Sequence, residues 1–154
     1  MEVIMTQKNT IIAHTADMTR SWDTDKIRQY IFAGHAVFAI DGVIYTVRNH
    51  NVKGEWWTVY TKDETTPTWI QIGWIIPERL IVTKDVTCIE PKYKWTLFMQ
   101  FVWWLKNHGL LPNKYVFQIS RFCARCGAPL KSAKSLTLGY GPECIKKEKT
   151  NESR

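Results

Sequence analysis

Three cysteines near the C-terminal end constrain this chain more than any other feature. The run Cys123-Ala124-Arg125-Cys126-Gly127 sets two thiols across a tight turn. Backbone amides there can help neutralise bound thiolates, and the glycine can take a conformation closed to a β-branched residue. Downstream, Gly141-Pro142-Glu143-Cys144 reads as the start of a helix, with Pro142 near its first position and Cys144 in its first turn. The helix dipole favours an anionic thiolate at that place. A knuckle, a loop or hairpin, and then a ligand on a helix start is the plan of a treble-clef-like zinc finger. So short a segment has little core of its own, so a metal ion is expected to order it.

Structural zinc takes four protein ligands, and this tail offers three sulfurs, Cys123, Cys126 and Cys144. Cys88 has the right chemistry and lies upstream, where the fold could bring it close. His108 and Glu143 are second choices for the fourth position, and a water is a further one. The alternatives are three reduced, metal-free thiols, or a redox Cys-x-x-Cys, for which the preceding strand-to-helix pattern is missing.

The rest of the chain must supply the core. With 154 residues, 45% of them hydrophobic and eight of them tryptophan, it suits one domain with a small appendage. No secretory signal is readable in Met1–Asn9. The apolar run Trp95–Leu105 is broken by Thr96 and Gln100 and falls short of the ~20 residues that cross a bilayer. Grouped thiols in an unsignalled chain point to a reducing compartment, the cytoplasm.

Residues 1–20 show no sustained period and read as an arm or loose edge strand. Asp23–Ala33 has an Asp/Thr start, Ile27, Tyr30 and Ile31 at helical spacing, and Gly34 beyond the last turn, which together predict a capped helix. Asp41-Gly42 separates Ala36–Ile40 from Val43–Val47 and favours a tight hairpin, with Phe38 facing Tyr45 and Ile40 facing Val43. Two further strands follow, Trp56–Thr61 and Thr68–Ile76. In the second, Ile70, Ile72, Trp74 and Ile76 alternate with Gln71 and Gly73. A short strand at Leu80–Val82 and a helix over Trp95–Asn107, stopped by Gly109 and Pro112, complete the set. Trp103 shares the polar stripe of that helix with Thr96, Gln100 and Asn107, and is either an exposed platform or covered by a neighbouring loop.

The expected fold is α+β: an antiparallel sheet of four or five strands with one or two packed helices, followed by a small zinc finger. Its divisions are an arm at 1–20, the α+β domain at 21–118, the zinc-finger-like module at 119–148 and a disordered tail at 149–154.

Charge suggests the partner. Formal net charge is +7, and from Arg121 onward eight basic residues stand against three acidic ones, about +5 of the total. Arg121, Arg125, Lys131, Lys134, Lys146 and Lys147 rim the thiol segment and can meet several phosphates of DNA or RNA at once. Trp56, Trp57 and Tyr60 on a nearby sheet, and Trp103, could stack on unpaired bases. The plain alternative makes the cations a solvated face and the rings core. A second function class is a protein-interaction factor, with Trp103 at the centre of its interface.

An enzyme is disfavoured. The chain has no Walker loop, dinucleotide fingerprint, G-x-S-x-G elbow or H-E-x-x-H helix. Gly139-Tyr140-Gly141 is too short for a phosphate cradle. His14, His35, His50 and His108 lie on separate segments without a partner pattern. The zinc-deaminase signature is incomplete: it ends in P-C-x-x-C, and here Phe122 rather than a proline precedes Cys123.

The motif Cys123-x-x-Cys126-Gly127-x-x-Leu130, then Ser135, then Gly139-x-Gly141-Pro142-x-Cys144 resembles a short zinc-finger-like module of unassigned function, frequent in bacteriophage and actinobacterial proteins. The Ala33-Gly34-His35-Ala36-Val37-Phe38 stretch and the Trp103-Trp104 helix are similar to the N-terminal part of phage proteins carrying it. The resemblance implies a phage-type protein with a metal-stabilised tail, acting in a bacterial host. Those relatives often place a histidine shortly before the first cysteine, where this chain reads Gln118-Ile119-Ser120-Arg121-Phe122.

Overall fold

The computed structural model describes residues 18, 19, 21–49 and 55–152, the stretch 148–152 as helix backbone only. The expected N-terminal arm lies outside the described residues apart from Met18 and Thr19, and so do His14 and His50.

Local chemistry sets the first elements. Asp23 caps helix α1 (Thr24–Ile31), its carboxylate accepting from the Lys26 amide at 2.8 Å, and the helix buries Ile27, Tyr30 and Ile31. Strands β1 (Val37–Ile40) and β2 (Val43–Arg48) meet at a turn where Asp41 (φ 49°) and Gly42 (φ 83°) both take the positive φ of a type I′ hairpin. Phe38 pairs with Tyr45 and Ile40 with Val43, the register that turn predicts. β3 (Trp57–Lys62), β4 (Ile70–Ile76) and β5 (Ile81–Lys84) extend the meander. Helix α2 (Lys92–Leu105) then crosses back over one face.

The sheet has six strands rather than four or five, in the order β5-β4-β3-β2-β1-β6, with every pair antiparallel. The additional strand is β6 (Phe117–Ile119), which pairs with β1 at the edge opposite β5. Three residues are too few for a readable period. Beyond it come helices α3 (Ala133–Leu138) and α4 (Pro142–Glu152). Backbone helix continues in α4 past residue 148, into the expected tail, where no Gly or Pro interrupts it.

The helix-covered face holds the core. Phe38, Tyr45, Val47, Val59, Ile72 and Ile75 pack there with Trp95, Phe98, Phe101 and Leu105 of α2. Phe117 stacks on Phe101 at 5.6 Å and also meets Tyr30 and Phe38. Outward, α2 leaves Tyr93, Met99 and Trp103 exposed, Trp103 at 56%. No described helix is long and apolar enough to cross a membrane.

One strand departs from the sequence reading. A register shift opposite Val59 and Tyr60 gives β4 an extra residue, since Val59 pairs with Gly73 and Tyr60 with Gln71. The alternation changes phase, so Ile72 and Ile75 enter the core while Trp74 stands on the other face beside Trp56 and Thr83. Gly73 is required here because a Cβ would lie 2.5 Å from the Trp95 ring. The other face carries its own small cluster, Val37, Ala39 and Ile44 packed under Trp69, and among the described residues no helix residue belongs to it.

Candidate metal centre

β6 runs directly into the thiol module. Ser120 donates to Val37 at 3.0 Å, and the chain then folds into a short hairpin: Cys123 donates to Ala128 (2.9 Å), Leu130 to Arg121 (2.8 Å) and Gly127 to Cys123 (2.8 Å). Gly127 takes φ 80°, the conformation the turn requires. Ser132 caps α3, and Gly139 at φ 81° ends it. The chain then returns so that the Gly141 amide donates to Cys123 Sγ at 3.4 Å, and Cys144 lies in the first turn of α4.

This path brings the sulfurs of Cys123, Cys126 and Cys144 within 4.8 Å of one another. A tetrahedral ion bound at about 2.3 Å needs sulfurs roughly 3.8 Å apart, so small side-chain adjustments suffice. The three cysteines can hold a metal ion. Cys123 is buried, Cys144 half-buried and Cys126 exposed.

Electrostatics divide the thiols. Burial opposes ionisation of Cys123, yet amide donors from Gly141, Cys126 and Arg125, with the Cys126 thiol, hold it below the ordinary thiol range. Cys144 is pushed up to about 12 by burial, by its hydrogen bonds to Cys123 and Cys126, and by their charge. A divalent cation removes that conflict by stabilising all three thiolates together.

None of the expected fourth ligands joins the cluster. Cys88 follows β5 and the knuckle follows β6, and those strands are opposite edges of the sheet, roughly 24 Å apart at the usual strand spacing. Cys88 instead packs against the core and accepts from the Glu90 amide at 3.4 Å. His108 faces the carboxylate of Asp25 at 3.2 Å on α1. Glu143 points to Lys146 at 3.7 Å.

His35 carries no recognisable sequence pattern, yet it braces the site. Its amide donates to Ala124 and its Nδ1 lies 2.7 Å from the Arg125 carbonyl. A carbonyl only accepts, so the proton resides on Nδ1. On the other side of the module, Tyr140 meets Tyr30 edge-on at 6.0 Å, and Cys123, Ala124 and Tyr140 belong to the main core.

Of the cations singled out, Lys131, Lys134, Lys146 and Lys147 are exposed on the module, while Arg121 and Arg125 are half-buried beside the knuckle. The rings separate. Trp57 packs on Phe32 at 5.7 Å on the core side, whereas Trp56 and Tyr60 belong with the other face, Trp56 at 42% exposure. Trp69, Trp74 and Arg48 on that face escaped the sequence reading. The bulge hid Trp74, and Trp69 lies in the loop before β4.

Residues 118–149 match a family described as Family of unknown function (DUF6011). The match spans the thiol module and the end of β6. No curated protein and no solved structure matches the chain.

Proposed function

We propose that the chain is a non-enzymatic binding protein whose C-terminal module is ordered by zinc and contacts nucleic acid. The supporting observation is spatial. Four exposed lysines stand on the module that the three sulfurs gather, against Glu143 and Glu148 as the acids of the matched segment. Clustered cations on a small rigid unit release counterions from a polyanion and give affinity without sequence preference. Zinc is the choice among metals because a sulfur-rich set on a knuckle and a helix start suits a d¹⁰ ion with no geometric preference of its own.

The test is fluorescence anisotropy with short DNA and RNA at about 50 and 200 mM salt, alongside metal analysis of the purified protein. Four phosphate contacts to a single strand predict a loss of roughly 50-fold in affinity between the two conditions. Binding that is absent at the lower salt, or indifferent to salt, removes the proposal.

A second reading is a factor that binds and modulates a host protein. Tyr93, Met99 and Trp103, exposed along the outer surface of α2, favour it, since exposed aromatic and methionine side chains are typical anchors of protein interfaces. A partner captured from host lysate that survives nuclease treatment selects this reading over the first.

A further inference from the structure

We infer that the sheet face turned away from the helices is a track for an unpaired nucleic-acid strand, running from a cleft at Trp56 and Trp74 to a second cleft beside the metal knuckle. This rests on the nucleic-acid reading above and assigns its substrate form and its path.

Two clefts open on the same face. One, of about 260 Å³, is lined by Trp56, Trp74 and Thr83. The other, of about 280 Å³, is lined by His35, Val37, Arg48, Trp69, Phe122 and Gly127. Both are smaller than the ~300–1,000 Å³ that holds a drug-sized ligand and suit one planar heterocycle each. Strand pairing connects them. Thr83, Trp74, Thr58 and Arg48 are successive partners across β5, β4, β3 and β2. Gln71, Tyr60, Thr46 and Val37 form the adjoining row across β4, β3, β2 and β1. From β4 to β1 the distance is about 14 Å. Tyr60 therefore lies between the two clefts, and Arg48 lines the second.

Arg48 gives the face its sign. Its Nε donates to Thr46 Oγ1 at 2.9 Å, and no carboxylate among the described residues pairs with it. Burial lowers its pKa, the mark of a guanidinium partly withdrawn from water. Such a group is satisfied by a phosphate or by the acceptor edge of a base. Lys62 is buried with its ammonium donating to the Thr66 carbonyl at 2.7 Å, and it lies over the Trp69 ring at 5.7 Å and braces it. Phe122 and Gly127 flank the ligand cysteines, so a strand leaving the second cleft arrives at the basic module.

Rings separated by one or two strands, with the Arg48 guanidinium beside them, match how single strands are held: bases stack on aromatic faces while the backbone follows positive charge. Paired bases are turned inward and cannot reach such rings. Thr83 and Gln71, which reach the surface of this face, also interrupt the apolar continuity expected at the centre of a protein interface.

The test compares a labelled single strand with the duplex of the same sequence, by anisotropy at low salt, for the full chain and three variants. Arg48→Gln and Trp74→Leu are each expected to weaken single-strand binding about 5- to 100-fold while leaving duplex binding and the thermal midpoint unchanged. The Lys131/Lys134/Lys146/Lys147→Ala chain is expected to weaken both. Should Trp74→Leu fail to fold, Arg48→Gln carries the test, because it removes no ring. If Arg48→Gln and Trp74→Leu bind the single strand as wild type does while the lysine variant does not, the track is refuted and the nucleic-acid reading stands. If wild type binds neither form, both fall. A nuclease-resistant protein partner lost in Arg48→Gln, with oligonucleotide binding kept, assigns the face to a protein and overturns the track.

Discussion

The two ends of this molecule are held together by different physics. In the α+β part, Tyr30, Phe38, Tyr45, Phe98, Phe101 and Phe117 are all fully buried. Each such ring contributes about 1.5–3 kcal/mol through apolar area alone. Past residue 119 the buried residues are small, Ser120, Cys123, Ala124 and Ser135, and Tyr140 is the one large ring among them. Area cannot order that segment, whereas a structural metal can contribute on the order of 10 kcal/mol. The module also leans on the larger core through Tyr140 and His35, so dependence is expected to run one way, from the module onto the core.

The largest effect expected from that asymmetry is at the sulfurs. Cys126 is exposed, so Cys126→Ser removes a ligand without opening the core. Metal content should fall from roughly one ion per chain to near none. Trypsin should then cut at Arg121, Arg125 and Lys131, while the near-ultraviolet circular dichroism of the buried rings persists. Acid should reach the same state, because metal binding displaces protons and Cys144, pushed up to about 12, gives up its own only to a cation. An intact tryptic pattern in metal-free protein would refute the asymmetry.

Next in size is Phe117→Ala. This ring joins α2, α1 and β1, and β6 carries it straight into the knuckle. A loss of about 3–5 kcal/mol is expected, with sheet and metal site melting in one transition. Two separate transitions, with the metal site outlasting the sheet, would reverse the proposed direction of dependence.

How far the sequence anticipated this structure depends on the range of the signal. Asp23 as a cap, Asp41-Gly42 as a turn and the Cys-x-x-Cys knuckle act over a few residues, and each is found as read. The failures are non-local. Cys88 was a reasonable ligand until the strand order put β5 and β6 at opposite edges. The alternation of Ile70, Ile72 and Trp74 with Gln71 and Gly73 sets Trp74 on the face of Ile72, and nothing in β4 itself announces a bulge that is defined by its pairing with β3. His35 braces the knuckle only because β1 starts where the module docks.

The joint between the two regions can be probed by itself. Gly139 has φ 81°, and a Cβ there would sit 2.6 Å from the Tyr30 ring. Gly139→Ala combines backbone strain with a clash against a ring that cannot yield inside the core, so about 1–3 kcal/mol should be lost. Metal affinity should drop while the midpoint of the sheet changes less, which calorimetry with and without chelator resolves. Equal losses in both would mean that core and module form one cooperative unit.

The smallest effect belongs to an ion cluster within the α+β part. Lys94 is nearly buried and donates to Glu90 at 2.8 Å and Asp63 at 3.2 Å. Asp63 is 67% exposed, so Asp63→Asn should cost no more than about 1 kcal/mol, because water screens the pair and Glu90 still holds the ammonium. Burial alone would depress the Lys94 pKa, yet its two carboxylate partners raise it above the ordinary lysine value. A raised folded pKa means that the stabilisation is complete at neutral pH and fades only as alkaline pH passes the folded value. The two regions should thus weaken toward opposite ends of the pH scale, the module in acid as its thiolates protonate and this clamp in alkali. Thermal midpoints of wild type and Asp63→Asn from neutral pH upward would show it, and a difference that is largest near neutrality and does not shrink in alkali would contradict the assigned sign.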